Sequence, residues 1–367
     1  MKQQRWSERA KHPFVVGGNA ALSILLIFMV AAAVMVEYGR QQFYGSGPLT
    51  SEEVVVVPRG LGVRQIADLL EEKGIIENKW TFVTGLQFTG SRGSLQAGEY
   101  AFPSGASMND VMKIIASGKV IEHPVTIAEG LTSEQIVKRL AEIDVLSGEF
   151  RQIPPEGSLL PETYRVTRGT SREQMIKRMT AARDKALEEA WANRDPSIPV
   201  KSPFELLVLA SIIEKETAIA SERARVAAVF VNRLKKNMRL QSDPTIIYGL
   251  VGGKGSLGRP ILRSEITRRS PYNTYVINGL PPGPIANVGR EALEAAARPA
   301  KTDDLYFVAD GSGGHAFASS YQEHRQNVAK WRAIERERGA AEADRVDPED
   351  AEEVAPAAAG EASGRRG

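Results

Sequence analysis

The chain contains no cysteine, so neither a disulfide framework nor a thiolate metal site is available to it. Histidine is nearly as scarce. His12, His123, His315 and His324 are the only ones, and none stands at a metal-ligand spacing such as H-E-x-x-H. No metal is therefore expected, and no other cofactor is called for. Charge of one sign is also missing. Lys and Arg total 47 against 45 Asp and Glu, a net charge of +2, so no polyanion such as a nucleic acid is implied as a partner.

What is present begins with an uncharged, largely apolar run at residues 14–36, long enough to cross a bilayer as a helix. Lys2, Arg5, Arg9 and Lys11 precede it. This basic excess predicts a cytoplasmic N-terminus over residues 1–13 and the rest of the chain across the membrane. A cleaved signal peptide is the rival reading, with Ala31-Ala32-Ala33 near the cut, but its apolar core would be only about 7–15 residues. Residues 37–50, with Gly45, Gly47 and Pro48, read as a linker.

An internal pattern follows. Gly60, Gly105, Gly130 and Gly169 each come after a short strand-like stretch. Six residues after each stands Ile66, Val111, Ile136 or Met175; ten after stands Leu70, Ile115, Leu140 or Met179. The last two sets are four apart, one face of a helix, so the predicted unit is strand, glycine turn, helix. Residues 51–150 are expected to form a small α/β domain. Most of its aromatic residues (Trp80, Phe82, Phe88, Tyr100, Phe102) are expected in the core, with sugar platforms as the other use. Residues 151–200 read as a connecting subdomain whose charged helix buries Met175, Met179, Ala182, Ala186 and Trp191. Glu162 either lines a cleft or bonds a backbone amide. A larger domain is expected over 201–332, and a disordered tail over 333–367, where Ala, Glu, Arg and Pro show no apolar periodicity. The fold class expected is α+β: a transmembrane helix, a small α/β domain and a C-terminal mixed α/β domain.

The most informative stretch is 202–250. Ser202-Pro203-Phe204-Glu205 reads as a helix start with a capping box. Residues 206–213 are apolar on nearly every side, as in a helix inside a domain. The helix ends by delivering Glu214 and Glu216, roughly 200° apart on its surface. One should meet a pocket, the other protein or solvent. Loops around Gln241, Asp243, Asn273 and Tyr275 are rich in amides and aromatic rings, which suit a sugar polymer. Asp243-Pro244 also reads as the cap of a helix continuing through Tyr248.

The run Ala210-Ser211-Ile212-Ile213-Glu214-Lys215-Glu216-Thr217 resembles the endolytic murein transglycosylases, the YceG-like family. So do Phe230-Val231-Asn232-Arg233-Leu234, Tyr272-Asn273-Thr274-Tyr275, Gly279-Leu280-Pro281-Pro282-Gly283 and Leu305-Tyr306-Phe307-Val308. The resemblance implies cleavage of peptidoglycan glycan strands, with Glu216 as the acid/base. It also implies a LysM-like N-terminal domain and a catalytic domain at 201–332. Gln241, Asp243, Tyr248, Asn273 and Tyr275 are the candidate substrate-binding residues. On this reading the chain is a single-pass inner-membrane protein with a periplasmic catalytic domain. Peptidoglycan synthases of the elongation or division machinery are the protein partners it admits. The alternatives are a muramidase-type hydrolase pairing Glu216 with Asp243, and an inactive glycan-binding scaffold.

Overall fold

The computed structural model describes residues 13–90 and 95–343. The expected cytoplasmic terminus, apart from its last residue, and residues 344–367 of the expected tail lie outside them. The chain groups into two compact units, Met1–Val125 with Arg165–Thr170, and Thr126–Tyr164 with Ser171–Gly367. The division therefore falls at 125 where 150 was expected. Most of the expected connecting stretch belongs to the second unit, because its long helix packs into that unit's core.

In the first unit, helix α1 (Pro13–Tyr44) is followed by strand β1 (Glu53–Val57), helices α2 (Val63–Glu72) and α3 (Lys79–Phe88), strand β2 (Gly98–Phe102) and helix α4 (Met108–Ser117). β1 and β2 pair antiparallel with Val55 opposite Tyr100. Phe82, Tyr100 and Phe102 are fully buried, as expected, whereas Trp80 and Phe88 are exposed. Among the described residues α1 is the one helix long and apolar enough to cross a membrane. It does not stop at the end of the apolar run. It continues through Tyr44, and Phe43 is buried in the unit's core. A Cβ at Gly85 of α3 would lie 2.1 Å from the Phe43 ring, so the two helices meet only because that residue is glycine. The expected linker is thus corrected. Gly45 donates its N–H to the Gln41 carbonyl at 2.7 Å, and Gly47 to the Gly105 carbonyl at 3.2 Å, so these glycines close the helix and dock the chain without slack.

The four-fold pattern is present in full. Gly60, Gly105, Gly130 and Gly169 have φ of +88°, +70°, +72° and +84°, a conformation that other residues adopt at a cost. A helix begins three residues after each: α2, α4, α5 (Ser133–Ala141) and α6 (Arg172–Ala192). Ser107, Thr132 and Ser171 cap the last three with capping boxes closed by Asp110, Gln135 and Gln174. All eight apolar residues at the six- and ten-residue offsets are buried. Strand β3 (Glu122–Thr126) pairs with β5 (Thr163–Thr167); β4 (Leu146–Ser147) and β6 (Thr170–Ser171) are shorter.

The second unit is built around helix α7 (Pro203–Glu216). Ser202 accepts the Glu205 N–H at 3.1 Å and Pro203 takes the first turn, as the sequence predicts. The box is not closed, because the Glu205 carboxylate accepts the Lys201 N–H instead. Residues 206–213 are all buried. They pack against α6, α8 (Ala220–Lys235), α9 (Asp243–Val251) and α11 (Arg290–Ala297), with the short α10 (Arg263–Ile266) nearby in sequence. The hairpin of β7 (Tyr306–Ala309) and β8 (His315–Ala318) precedes α12 (Tyr321–Ala343). α12 runs well past residue 332, so the first part of the expected disordered tail is helical.

Candidate active site

Glu216 is the last residue of α7, where the chain leaves the helix at an extended Thr217. Its side chain is half-buried, and Ser242 donates a hydroxyl hydrogen bond to its Oε1 at 2.5 Å. Burial pushes the carboxyl up to about 7. The Ser242 bond, and then the neighbouring His315 and Arg233, pull against that rise, and the Asp243 charge adds to it. A carboxyl so held is protonated in a large fraction of molecules near neutral pH.

Glu214 leaves the helix on another side, as the spacing requires. Its Oε2 accepts the Gly289 N–H at 3.0 Å at the start of α11, where a helix end offers unpaired donors. Lys215 also turns away, donating to the Gly130 carbonyl at 3.2 Å. The two glutamates therefore have different occupations: Glu214 joins two helices, and Glu216 faces the residues around Ser242. A cavity of about 300 Å³ reaches this end of α7 and is lined by Glu129, Glu214, Glu216 and Arg223. A larger one, about 1080 Å³, lies among α6, α8 and α11 and contains no Glu216. Of these two cavities the smaller is the one that Glu216 lines.

The loop before α9 is held rigidly. Ser242 occupies the position before the helix, and its hydroxyl is turned to Glu216 instead of capping. Its N–H goes to Thr274 Oγ1 at 2.9 Å, and Thr245 Oγ1 donates to its carbonyl at 2.6 Å. Gln241 sits at φ +53°, exposed, with its side-chain oxygen 3.4 Å from Arg233 Nη1. Buried Arg233 donates to the carbonyls of Leu305 at 2.7 Å and Leu240 at 2.8 Å, fixing a positive charge beside the site. Asp243 is the first residue of α9 and accepts the Tyr275 hydroxyl at 2.6 Å. Burial, then the Asp243 carboxylate, keeps that phenol protonated well above its ordinary range. The expected Asp-Pro cap is therefore shifted by one residue.

Two of the sequence candidates do not join this group. Asn273 is buried, and its amide donates to the carbonyls of Glu265, Ile266 and Arg268 at 2.8–3.2 Å. It staples a loop and has no donor left for a ligand. Tyr248 packs on Tyr272 at 4.9 Å and donates to Glu156 at 3.4 Å. The Glu162 side chain bonds no backbone amide; it pairs with Arg290 at 2.5 Å. Conversely, Ser242, Arg233 and His315 were not singled out from sequence. His315 Nδ1 contacts Glu222 Oε2 at 2.7 Å, and its N–H donates to Glu222 Oε1, which orients the ring. A histidine held by a glutamate some ninety residues earlier leaves no local signal.

The description of the YceG-like family matches residues 55–330, three quarters of the chain and every residue of this site. The chain belongs to the YceG-like family. Among family relatives, the endolytic murein transglycosylase of Bacillus subtilis (strain 168) is 32% identical over 307 residues, covering 75% of this chain and 83% of the relative. That of Streptococcus pneumoniae serotype 2 (strain D39 / NCTC 7466) is 30% identical over 328 residues, covering 75% of this chain and 58% of its own length. A crystal structure of a YceG-like protein from Listeria monocytogenes is 31% identical and covers 75% of this chain and 98% of that one, with a TM-score of 0.47.

Proposed function

We propose that the chain is a membrane-anchored lytic transglycosylase. It cleaves the bond between N-acetylmuramic acid and N-acetylglucosamine within nascent peptidoglycan strands and leaves 1,6-anhydro ends. The observation that carries this reading is the half-buried carboxyl of Glu216, bonded by Ser242 and raised to about 7. Names of relatives at 30–32% identity point the same way. In the reaction Glu216 protonates the glycosidic oxygen as the bond to the muramic anomeric carbon breaks. The resulting carboxylate then takes the proton of the muramic 6-hydroxyl as that oxygen attacks the same carbon. No water is consumed, and the proton returns to Glu216. Ser242 and Arg233 steady the carboxylate form; Gln241, Asp243 and Tyr275 line the approach and hydrogen-bond the sugars.

Residues 14–36 serve as the inner-membrane anchor, with the domain carrying Glu216 in the periplasm. The strand–helix–helix–strand order of β1, α2, α3 and β2 supports the LysM-like reading of the first unit, a glycan-holding role. The enzyme acts beside the synthases and ends strand elongation.

The product decides between this and a hydrolase. Digesting purified peptidoglycan and weighing the fragments should give anhydro ends, lighter than hydrolysed ends by one water. Asp243→Asn should retain measurable turnover and the same anhydro products. Hydrolysed ends from the wild type, lost on Asp243→Asn, would establish the two-carboxylate alternative. Ser242→Ala is expected to move the alkaline limb of the kcat/KM profile to higher pH. The bond it removes favours the charged form of Glu216, so its loss raises the pKa further. An unmoved limb would mean that Glu216 is not the titrating acid.

A further inference from the structure

Helix α3 buries one side and carries two large rings on the other. Phe82, Val83 and Leu86 face the core, while Trp80 is 63% and Phe88 88% exposed, beside exposed Thr84 and Gln87. Two exposed rings on one short helix mark a contact surface. Between α3 and the end of α1 lies a groove of about 530 Å³, lined by Met35, Val36, Phe43, Tyr44, Trp80 and Phe88. Its position along α1 indicates what covers it. Met35 and Val36 are the last residues of the uncharged run, so the groove begins where that run would leave hydrocarbon. From Val36 to Phe43 the helix rises only about 10 Å. The polar zone of a bilayer leaflet is itself about 5–8 Å deep. Phe43, seated against Gly85, allows no hinge that would lift α3 away. Tyr38, 63% exposed, stands about 3 Å past Val36 along the helix, inside that polar zone, and such rings gather at membrane interfaces.

We propose that α3 is a membrane seat. Its exposed aromatic face lies in the interfacial zone of the leaflet that α1 leaves, and the groove beside α1 holds an acyl chain of a bilayer phospholipid. The first unit is thereby held at a fixed height on the membrane. This rests on the reading that residues 14–36 span the bilayer.

The test uses the full chain in phospholipid nanodiscs prepared with plain or acyl-brominated lipid, since bromine quenches tryptophan only on contact. Trp6, Trp191 and Trp331 are changed to phenylalanine, leaving Trp80 as one reporter. Phe88→Trp with Trp80→Phe gives a second. Phe28→Trp with Trp80→Phe reports on the span itself. Each variant is first required to keep the wild-type melting midpoint, and the two α3 reporters are read separately so that one poorly folded variant does not decide the result. The expected result is loss of most emission from Phe28→Trp and a comparable loss from at least one α3 reporter. If Phe28→Trp is quenched and neither α3 reporter is, the seat is wrong and the anchor stands. If none is quenched, the anchor fails and the seat with it. A second copy in the groove would leave both α3 reporters bright in discs carrying two chains, which also overturns the proposal.

Discussion

Glu216→Gln is expected to fold and to lose glycan cleavage by about 10²–10⁴. The upper end applies, because one group serves as acid and then as base. Glutamine keeps the length of the side chain and can accept the Ser242 hydroxyl, but can neither give nor take the proton. The same variant carries a stability signature. Glu216 has its folded pKa raised from an ordinary 4.5 to about 7. Its contribution to stability is whole below the unfolded value and is lost as pH rises through the folded one. The melting midpoint of the wild type should therefore fall, relative to Glu216→Gln, between pH 4.5 and 7. Cleavage assays and melting curves at both ends of that window read the two effects together. Full activity in the folded variant would sink the assignment. Glu214→Ala should show the reverse balance, with cleavage largely kept and the midpoint lowered, because it removes the oxygen that accepts the Gly289 N–H at the start of α11.

The second large effect is expected at the end of α5. The guanidinium of Arg172 donates to five carbonyls: Leu140 and Ala141 at the end of α5, then Ile143, Leu146 and Gly148 in the turn beyond. The last carbonyls of a helix have no partner within it. Here one planar fork supplies the last two, Leu140 and Ala141, and holds the turn that follows them. Arg172→Ala should lower stability by about 3 kcal/mol, a figure already reduced for the partial exposure of the site. Arg172→Lys should recover less than half, since an ammonium has three donors and no fork. Urea denaturation of the three proteins is the measurement. An unchanged midpoint for Arg172→Ala would mean that water replaces the guanidinium without loss.

What was legible in the sequence was local. The four glycine turns follow from spacing along a single strand and helix, and all eight apolar positions derived from it are buried. The capped, wholly apolar α7 was legible for the same reason. The angular separation of Glu214 and Glu216 foretold their divergent surroundings. What was not legible depends on residues far apart in the chain. Gly45, Gly47 and Pro48 have the composition of a linker, but Phe43 finds its place only against Gly85, about forty residues on. Asn273 looks like a sugar ligand until its three carbonyl partners are seen. Ser242 carries no signal beside Asp243-Pro244, the pair that reads as the cap, and only the folded loop turns its hydroxyl to Glu216. Arg233 stands in one of the resembling motifs with no role attached, and only the fold shows it bonded to the carbonyls of Leu305 and Leu240.

The repeated strand–turn–helix unit also creates a hazard. Strands that share a turn and a spacing are candidates for each other's partners, and a chain with four such units must discourage the wrong pairings while it folds. Part of that discrimination lies in β3 itself. Pro124 has no N–H to contribute to a ladder, and proline within a strand is confined to open edges. β3 can thus join β5 but is a poor template for β1 or for another molecule, whereas β1, a run of four valines, carries no such block. Aggregation during refolding should therefore start from β1, and a charge placed on its exposed Val54 or Val56 is where solubility would be gained.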